Sequence, residues 1–181
     1  MRFVTALLTF WLIAFPAAAD QKSPILVTLF DRLRSATSEA EALSVERDIW
    51  RVWVRHERED VNSRMARGII LMNAGKFEQS LDIFTRLVDM APDHAEAWNK
   101  RATVFYLIGD LESSVRDIQK TLALEPRHFG ALSGMSLIYA ELGQERAALQ
   151  LLERALEIHP LMQGARQRVD ELREKLKGNP I

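Results

Sequence analysis

Glycine and proline recur along this chain at a fixed interval, and no other feature of the sequence constrains the fold as strongly. The recurring residues are Gly75, Gly109 and Gly143, then Pro92, Pro126 and Pro160, and both series step by 34 residues. A period of this length without strand-like alternation indicates pairs of helices stacked into an array. Glycine permits the left-handed backbone that ends one helix, and proline stops the next. The sequence therefore predicts an all-α solenoid.

Side-chain size varies in register with this period. Counted from Val61, Ala95 and Phe129, the eighth and twentieth places of each unit are small, and the eleventh and twenty-fourth are large and apolar. The small residues are Gly68, Ala102, Ser136, Ser80, Ser114 and Ala148, and the large ones are Leu71, Phe105, Tyr139, Phe84, Ile118 and Leu152. Small residues let the two helices of a unit approach closely, and large ones fill the space beside that contact.

Three consecutive blocks, 61–94, 95–128 and 129–162, resemble the tetratricopeptide repeat. The middle block carries the family pattern at Trp98, Arg101-Ala102, Phe105, Ser114, Ile118 and Pro126, and the third carries it at Leu132, Met135-Ser136, Tyr139, Ala148, Leu152, Ala155 and Pro160. The first block is the most diverged, with Arg64 where an aromatic residue is usual. The resemblance implies two antiparallel helices per unit and a concave groove, lined by the first helices, that holds a protein segment.

A comparison between units predicts one internal ion pair. Asp117 follows Arg101 by sixteen residues, on the partner helix, and the equivalent residues of the third unit are Met135 and Leu151. Charge faces charge in one unit and apolar faces apolar in the other, so we expect the two positions to touch. Arg67 has no such partner at the equivalent place, Ile83, and the nearest carboxylate along the partner helix is that of neighbouring Asp82.

Helical segments flank the three units. Residues 20–60 predict a helical hairpin, with an apolar face on its first helix and a capping box of Ser38 and Glu41 opening the second. Its large apolar side chains are Leu26, Leu29, Phe30, Leu33, Val45, Ile49, Trp50 and Trp53, which we interpret as core rather than as a ligand platform. We expect this hairpin to be a degenerate cap on the first unit. Residues 163–181 predict a C-terminal capping helix and tail.

The first nineteen residues have the pattern of a secretory signal peptide. Arg2 precedes an uncharged apolar run from Phe3 to Phe15, and Ala17-Ala18-Ala19 supplies the small residues of a cleavage site before Asp20. The run is shorter than the ~20 residues that span a bilayer as a helix. We therefore expect cleavage after residue 19 and a periplasmic protein of a Gram-negative bacterium, without membrane insertion after cleavage. An uncleaved anchor and a buried first helix are the alternatives.

Composition argues against catalysis and against nucleic acid. The chain has no cysteine and a net charge of -1, which removes thiolate chemistry and the basic surface that nucleic acid requires. His94 and His128 are 34 residues apart without a third metal ligand, so we expect them to cap helices or lie on the surface, and His56 and His159 to be solvated. No nucleophile or phosphate-loop motif is present. The sequence predicts no enzyme, no cofactor and no metal.

The family resemblance assigns the second, fifth, ninth and twelfth places of each unit to the groove. The predicted partner-binding residues are Met65, Ile69, Met72, Asn99, Thr103, Tyr106 and Leu137. Family members that grip a terminal carboxylate use lysine, arginine and asparagine there, and this chain departs from that pattern. An apolar groove with two methionines suits a hydrophobic segment or an amphipathic helix. Alternatively, the chain's own N-terminal hairpin or a second copy covers the groove.

These features favour a periplasmic adapter or scaffold for protein–protein interaction, supporting assembly or integrity of the cell envelope. The sequence resembles small periplasmic repeat proteins of alphaproteobacteria. Two alternatives stay open: a chaperone or subunit of an exported assembly, such as secretion or cytochrome maturation machinery, and a self-associating structural protein.

Overall fold

The protein is described by a computed structural model that covers residues 20–178, so the predicted signal peptide at 1–19 and residues 179–181 lie outside the described part. The helices are α1 (Ile25–Ser35), α2 (Glu39–Val54), α3 (Glu59–Asn73), α4 (Phe77–Met90), α5 (Ala95–Leu107), α6 (Leu111–Leu124), α7 (Phe129–Glu141), α8 (Glu145–Ile158) and α9 (Ala165–Gly178). No strand occurs among residues 20–178. The all-α prediction is confirmed.

Helices α3–α4, α5–α6 and α7–α8 form repeats 1, 2 and 3, and each pair is joined by the small residues that the period marked. A serine hydroxyl on one helix donates to the carbonyl of a small residue on the other. These bonds are Ser80 to Gly68 at 2.9 Å, Ser114 to Ala102 at 2.8 Å and Ser136 to Ala148 at 2.8 Å. A hydroxyl reaches a helix carbonyl in this way only where the opposing side chain is small. The small residues at the eighth and twentieth places of each unit therefore form one contact between its two helices.

The turn inside each repeat depends on its glycine. Gly75, Gly109 and Gly143 have φ values of 70°, 82° and 69°, in the left-handed region that other residues rarely adopt. Each glycine ends the first helix of its repeat and lets the chain reverse into the second.

The N-terminal hairpin α1–α2 lies across repeats 2 and 3, not on the free end of repeat 1. The expected position as an end cap was therefore wrong, and the alternative, in which the hairpin covers part of the groove, agrees with the structure. Helix α1 contacts α8, and α2 contacts α5. The shared core consists of Leu26, Leu29, Phe30, Leu33, Ala42, Val45, Ile49 and Trp53 from the hairpin, with Phe129, Leu132 and Ala155 from repeat 3. The hairpin is therefore part of the main core.

The sequence of repeat 1 explains this position. At its third place Ser63 is exposed, whereas the equivalent Ala97 and Ala131 are buried against the preceding repeat. At its fourth place Arg64 stands where Trp98 packs on repeat 1. A polar first repeat tolerates solvent at its end, so the apolar hairpin is free to bury itself elsewhere.

The opposite end of the array is covered by α9. Ala165, Val169 and Leu172 pack against Ala148 and Leu152 of repeat 3 in one apolar cluster. The charged face of α9 is turned to solvent, as is usual for a terminal helix of a repeat array.

Candidate functional site

A pocket opens on the concave surface between α5 and α7, the first helices of repeats 2 and 3. Its volume is about 160 Å³. The lining residues are Asn99, Ala102, Thr103, Tyr106, Ser114, Ile118, Gly130, Ala131, Gly134, Leu137 and Ile138. Four residues predicted for the groove, Asn99, Thr103, Tyr106 and Leu137, are thus brought together at one place.

The polar groups of this pocket are bonded within the protein. The Asn99 amide donates to Glu96 at 3.0 Å, and the Thr103 hydroxyl donates to the Asn99 carbonyl at 2.9 Å. The Tyr106 hydroxyl donates to Glu141, and this hydrogen bond, together with burial, raises the pKa of Tyr106. Because these groups already have partners, the surface left for a ligand is mainly apolar.

Gly134 creates much of the available space. A Cβ atom added there would lie 3.8 Å from Ile118 Cδ1, an ordinary van der Waals distance. Glycine within a helix costs roughly 0.5–1 kcal/mol relative to alanine, and no contact in this structure requires it. Gly134 is absent from the predicted partner-binding residues, although a glycine inside a predicted helix was the signal that could have found it.

The groove residues of repeat 1 are placed differently. Met65 is fully buried in the apolar cluster shared by repeat 1 and α5, where Val54 from the end of α2 also packs, so its predicted exposure to a ligand was wrong. Ile69 and Met72 are half-buried against the same cluster and do not line the pocket. The hairpin and the neighbouring repeat take up this part of the predicted groove.

The hairpin also covers the first turns of α5 and α7. The Trp50 ring packs so closely on Gly130 that an added Cβ would lie 2.8 Å from its Cη2 atom. The Trp53 ring stacks on His128 with centroids 4.1 Å apart. The concave surface is thus covered by the hairpin at its beginning and open around Gly134.

Three histidines lie in the contact between hairpin and repeats. The prediction that His159 is solvated was therefore wrong, and so was a surface position for His94 and His128. His94, His128 and His159 are fully buried. His94 Nε2 lies 2.7 Å from the Trp53 carbonyl, and His159 Nε2 lies 3.2 Å from Glu46. The turns between repeats would face solvent in a bare solenoid, and here the hairpin covers them.

Two of these histidines have defined roles. His128 Nδ1 accepts the Ala131 backbone N–H at 3.0 Å, so the predicted capping role is confirmed for this residue. Burial lowers the pKa of His94, which keeps it neutral and able to donate to the Trp53 carbonyl.

Glu96 is a buried carboxylate beneath the hairpin. It lies 2.9 Å from His128 Nε2 and 3.0 Å from Lys100 Nζ, while Lys100 also sits over the Trp50 ring at 5.1 Å. Burial by itself would raise the pKa of Glu96, but the charge of Lys100 and the contact with His128 outweigh it and lower the pKa to about 2. This charge network joins the hairpin to the start of α5.

The described residues show no site for a metal and no membrane-spanning helix. Within 20–178, no three histidine, aspartate or glutamate side chains are grouped so as to hold an ion. No helix in this part of the chain is both long and apolar enough to cross a bilayer.

Comparison with known proteins gives the following relationships. The pattern of the tetratricopeptide repeat matches residues 65–123 and 130–160. A TPR repeat-containing protein of Rhizobium etli is 33% identical in an alignment of 178 positions that covers 91% of this chain and 87% of that protein. Among solved structures, the first TPR domain of Spaghetti (RPAP3), bound to an HSP90 peptide, has a TM-score of 0.63 at 19% sequence identity. The superposition covers 66% of this chain and 94% of the RPAP3 domain. The MamA protein has a TM-score of 0.61 at 19% identity, covering 85% and 81%.

Proposed function

This chain belongs to the tetratricopeptide-repeat family, and we propose that it is an adapter that holds a segment of another protein in the open half of its concave surface. The observation that carries the proposal is the pocket over Gly134, which is apolar, accessible and placed between two first helices. Two structural neighbours, the TPR domains of RPAP3, were solved with HSP90 and HSP70 peptides bound. The family is one of binding modules, which supports an adapter rather than an enzyme.

The client of this pocket is an apolar or amphipathic segment that inserts one large side chain. A volume of about 160 Å³ accommodates a side chain of the size of leucine or phenylalanine. Leu137 and Leu107, which follows Thr103 by one helical turn, extend the apolar surface at the rim and are both exposed. Burying one such anchor contributes about 1.5–3 kcal/mol, or roughly ten- to hundredfold in affinity.

A charged client fits this surface less well. Lys100 is already paired with Glu96, and the pocket presents no cluster of lysine or arginine to a carboxylate. We therefore expect binding that depends weakly on salt.

The proposed place of action is the periplasm, where the adapter would support assembly or integrity of the cell envelope. The support is the sequence of residues 1–19, with its apolar run and alanine-rich cleavage site. The amino-acid composition gives no further indication of the compartment.

Site-specific photo-crosslinking tests the binding site. A photoreactive residue at Leu137, on the rim of the pocket, is compared in the native host with one at exposed Gln150 on α8. We expect a discrete heterologous adduct from position 137 and none from position 150, identified by mass spectrometry.

A blocking substitution and its matched control make the test specific. Gly134→Leu fills the pocket and should abolish the adduct at position 137, whereas Gly134→Ala adds only a methyl group at an ordinary van der Waals distance and should leave the adduct unchanged. Two results would contradict the pocket as the binding site. One is an adduct at position 137 that persists in a folded Gly134→Leu protein, and the other is equal adducts from positions 137 and 150.

A further inference from the structure

Arg168 of α9 brings a positive charge to the edge of the pocket. Its side chain reaches back to α7, where Nη1 donates to the Ser133 hydroxyl at 3.3 Å. Ser133 directly precedes Gly134 and lies about one helical turn from Leu137, and both of these residues line the pocket. The guanidinium group is therefore held beside the α7 wall of the pocket.

The charge of Arg168 also acts on the opposite wall. Tyr106 lines the pocket from α5, and its hydrogen bond to Glu141 and its burial raise its pKa, while the charge of Arg168 acts in the opposite direction. Charges separated by more than about 8–10 Å are largely screened. The guanidinium group thus lies near both helices that form the pocket.

No carboxylate in the described part of the chain balances this charge. Arg173, on the same helix, is paired with Glu153 at 2.8 Å, whereas Arg168 bonds only to a serine hydroxyl. Glu171, one turn further along α9, acts on Arg168 without pairing with it and accepts the side-chain amide of Gln167 at 2.9 Å. Arg168 is half-buried, and burial lowers its pKa. A partly desolvated cation without a counter-charge has a free-energy cost that a bound carboxylate would offset.

We propose that Arg168 pairs with the side-chain carboxylate of a client residue one helical turn from the apolar anchor that enters the pocket. This inference rests on the proposed adapter function and names the chemistry of its client. On a client helix, residues three or four positions apart lie about 5–6 Å apart on one face, which matches the one-turn spacing of Ser133 and Leu137 on α7. The client is thus an amphipathic helix with a large apolar residue and an aspartate or glutamate three or four positions away.

The charge of this surface favours a side-chain carboxylate over a chain terminus as the source. Family members that grip a terminal carboxylate use several cationic and amide side chains, and the pocket is lined by no lysine or arginine. Arg168 supplies one guanidinium fork, which suits a single carboxylate. One ion pair leaves the affinity mainly apolar, so the salt dependence of binding stays weak.

Photo-crosslinking from position 137 in the native host tests the ion pair. Arg168→Gln removes the charge and keeps a donor for Ser133, and we expect it to reduce the adduct about fivefold. Arg154→Gln, at an exposed arginine of α8, is the matched control for net charge and should leave the adduct unchanged. Because the charge of Arg168 is uncompensated, Arg168→Gln should not lower the midpoint of urea unfolding, which separates loss of binding from loss of fold.

The client segment in the adduct, identified by mass spectrometry and made as a synthetic peptide, locates the carboxylate. Wild-type protein should bind this peptide about tenfold more tightly than the counterpart in which the acidic residue is replaced by its amide. Arg168→Gln should bind the two peptides equally, as a double-mutant cycle requires for a direct pair. Amidation of the peptide's carboxyl terminus should leave the affinity unchanged.

Three results would overturn the pairing and leave the pocket as the binding site. They are an adduct of wild-type yield in Arg168→Gln, equal affinity of wild-type protein for the acidic and amide peptides, and an affinity that is lost on amidation of the carboxyl terminus. The comparison of two peptides on wild-type protein needs no variant to fold. Absence of any adduct from position 137 in the wild type would overturn the adapter function and this inference together.

Discussion

The ion pair of Arg101 and Asp117 gives the sharpest test of how repeat 2 is held together, and the structure confirms that the two residues meet. Arg101 Nε lies 2.7 Å from Asp117 Oδ2, and Nη2 lies 2.9 Å from Oδ1, so the pair is bidentate. Only 15% of the arginine side chain and 6% of the aspartate side chain are exposed. The guanidinium also lies over the Trp98 ring at 4.9 Å. Asp117→Ala removes one partner and leaves the other partly buried.

The expected cost follows from this geometry. Breaking a fully buried ion pair from one side typically costs about 3–5 kcal/mol, because an uncompensated charge stays behind. Since Arg101 retains some access to water, we expect about 2–4 kcal/mol for Asp117→Ala. In repeat 3 the same two places hold Met135 and Leu151, which pack in one apolar cluster. The double substitution Arg101→Met with Asp117→Leu loses about 0.5–1 kcal/mol of cation–π contact and should otherwise be close to wild type.

Urea unfolding followed by circular dichroism measures these values. With a slope of about 2 kcal/mol per molar, Asp117→Ala should lower the midpoint by about 1–2 M. Arg101→Met alone, which strands the aspartate, should do the same, and the double variant should recover most of the loss. A coupling energy below about 0.5 kcal/mol, with the double variant as unstable as the two single losses added, would refute the argument that pairing decides stability here.

Three further predictions concern other parts of the chain. Gly130→Ala should destabilise the protein by about 1–2 kcal/mol because its Cβ would lie 2.8 Å from the Trp50 ring, whereas Gly134→Ala should stabilise it by about 0.5–1 kcal/mol, both measured by thermal and urea unfolding. The lowered pKa of Glu96 means that its carboxylate stabilises the fold above about pH 4.5 and that roughly 3 kcal/mol is lost as pH falls toward about 2. Glu96→Gln should be less stable at pH 7 and should lose less between those two pH values. Mass spectrometry of the exported protein should find Asp20 at the amino terminus, and recovery of the intact chain in membranes would instead indicate an anchor.

The repeats were predictable because their signals are local and recur in register. Gly109 ends a helix, Ser114 faces Ala102, and Asp117 follows Arg101 at a spacing that the third unit repeats with apolar residues. Each of these features involves residues within one 34-residue unit. Comparison of three copies in one sequence is enough to recognise them.

The position of the hairpin was not predictable in this way. Its contacts are single pairings between distant segments, such as Trp50 on Gly130 and Trp53 on His128, and they do not recur elsewhere in residues 20–178. That the Trp50 ring fits against Gly130 is visible only in the folded structure, because nothing in the sequence relates the two positions. The buried state of His94, His128 and His159 follows from the same contact, so it could not be read from the sequence either.

Part of the candidate site could be predicted for a related reason. Thr103, Tyr106 and Leu137 were found because the groove places recur with the repeat, and the structure places them around one pocket. Met65 was wrongly included since its burial depends on Val54 and the helices around it. Gly134 was left out because it contributes space rather than a side chain.

The docked hairpin also affects the order in which the molecule can be completed. A repeat array normally folds through contacts between neighbours, and its first units need not wait for its last. Here Glu46 and His159 meet across 113 residues, so the hairpin completes its native contacts only when the third repeat is present. Until then the apolar surface of α1 and α2 that packs on Phe129, Leu132 and Ala155 stays uncovered, and this hairpin is the segment most exposed to chaperones and to misassociation.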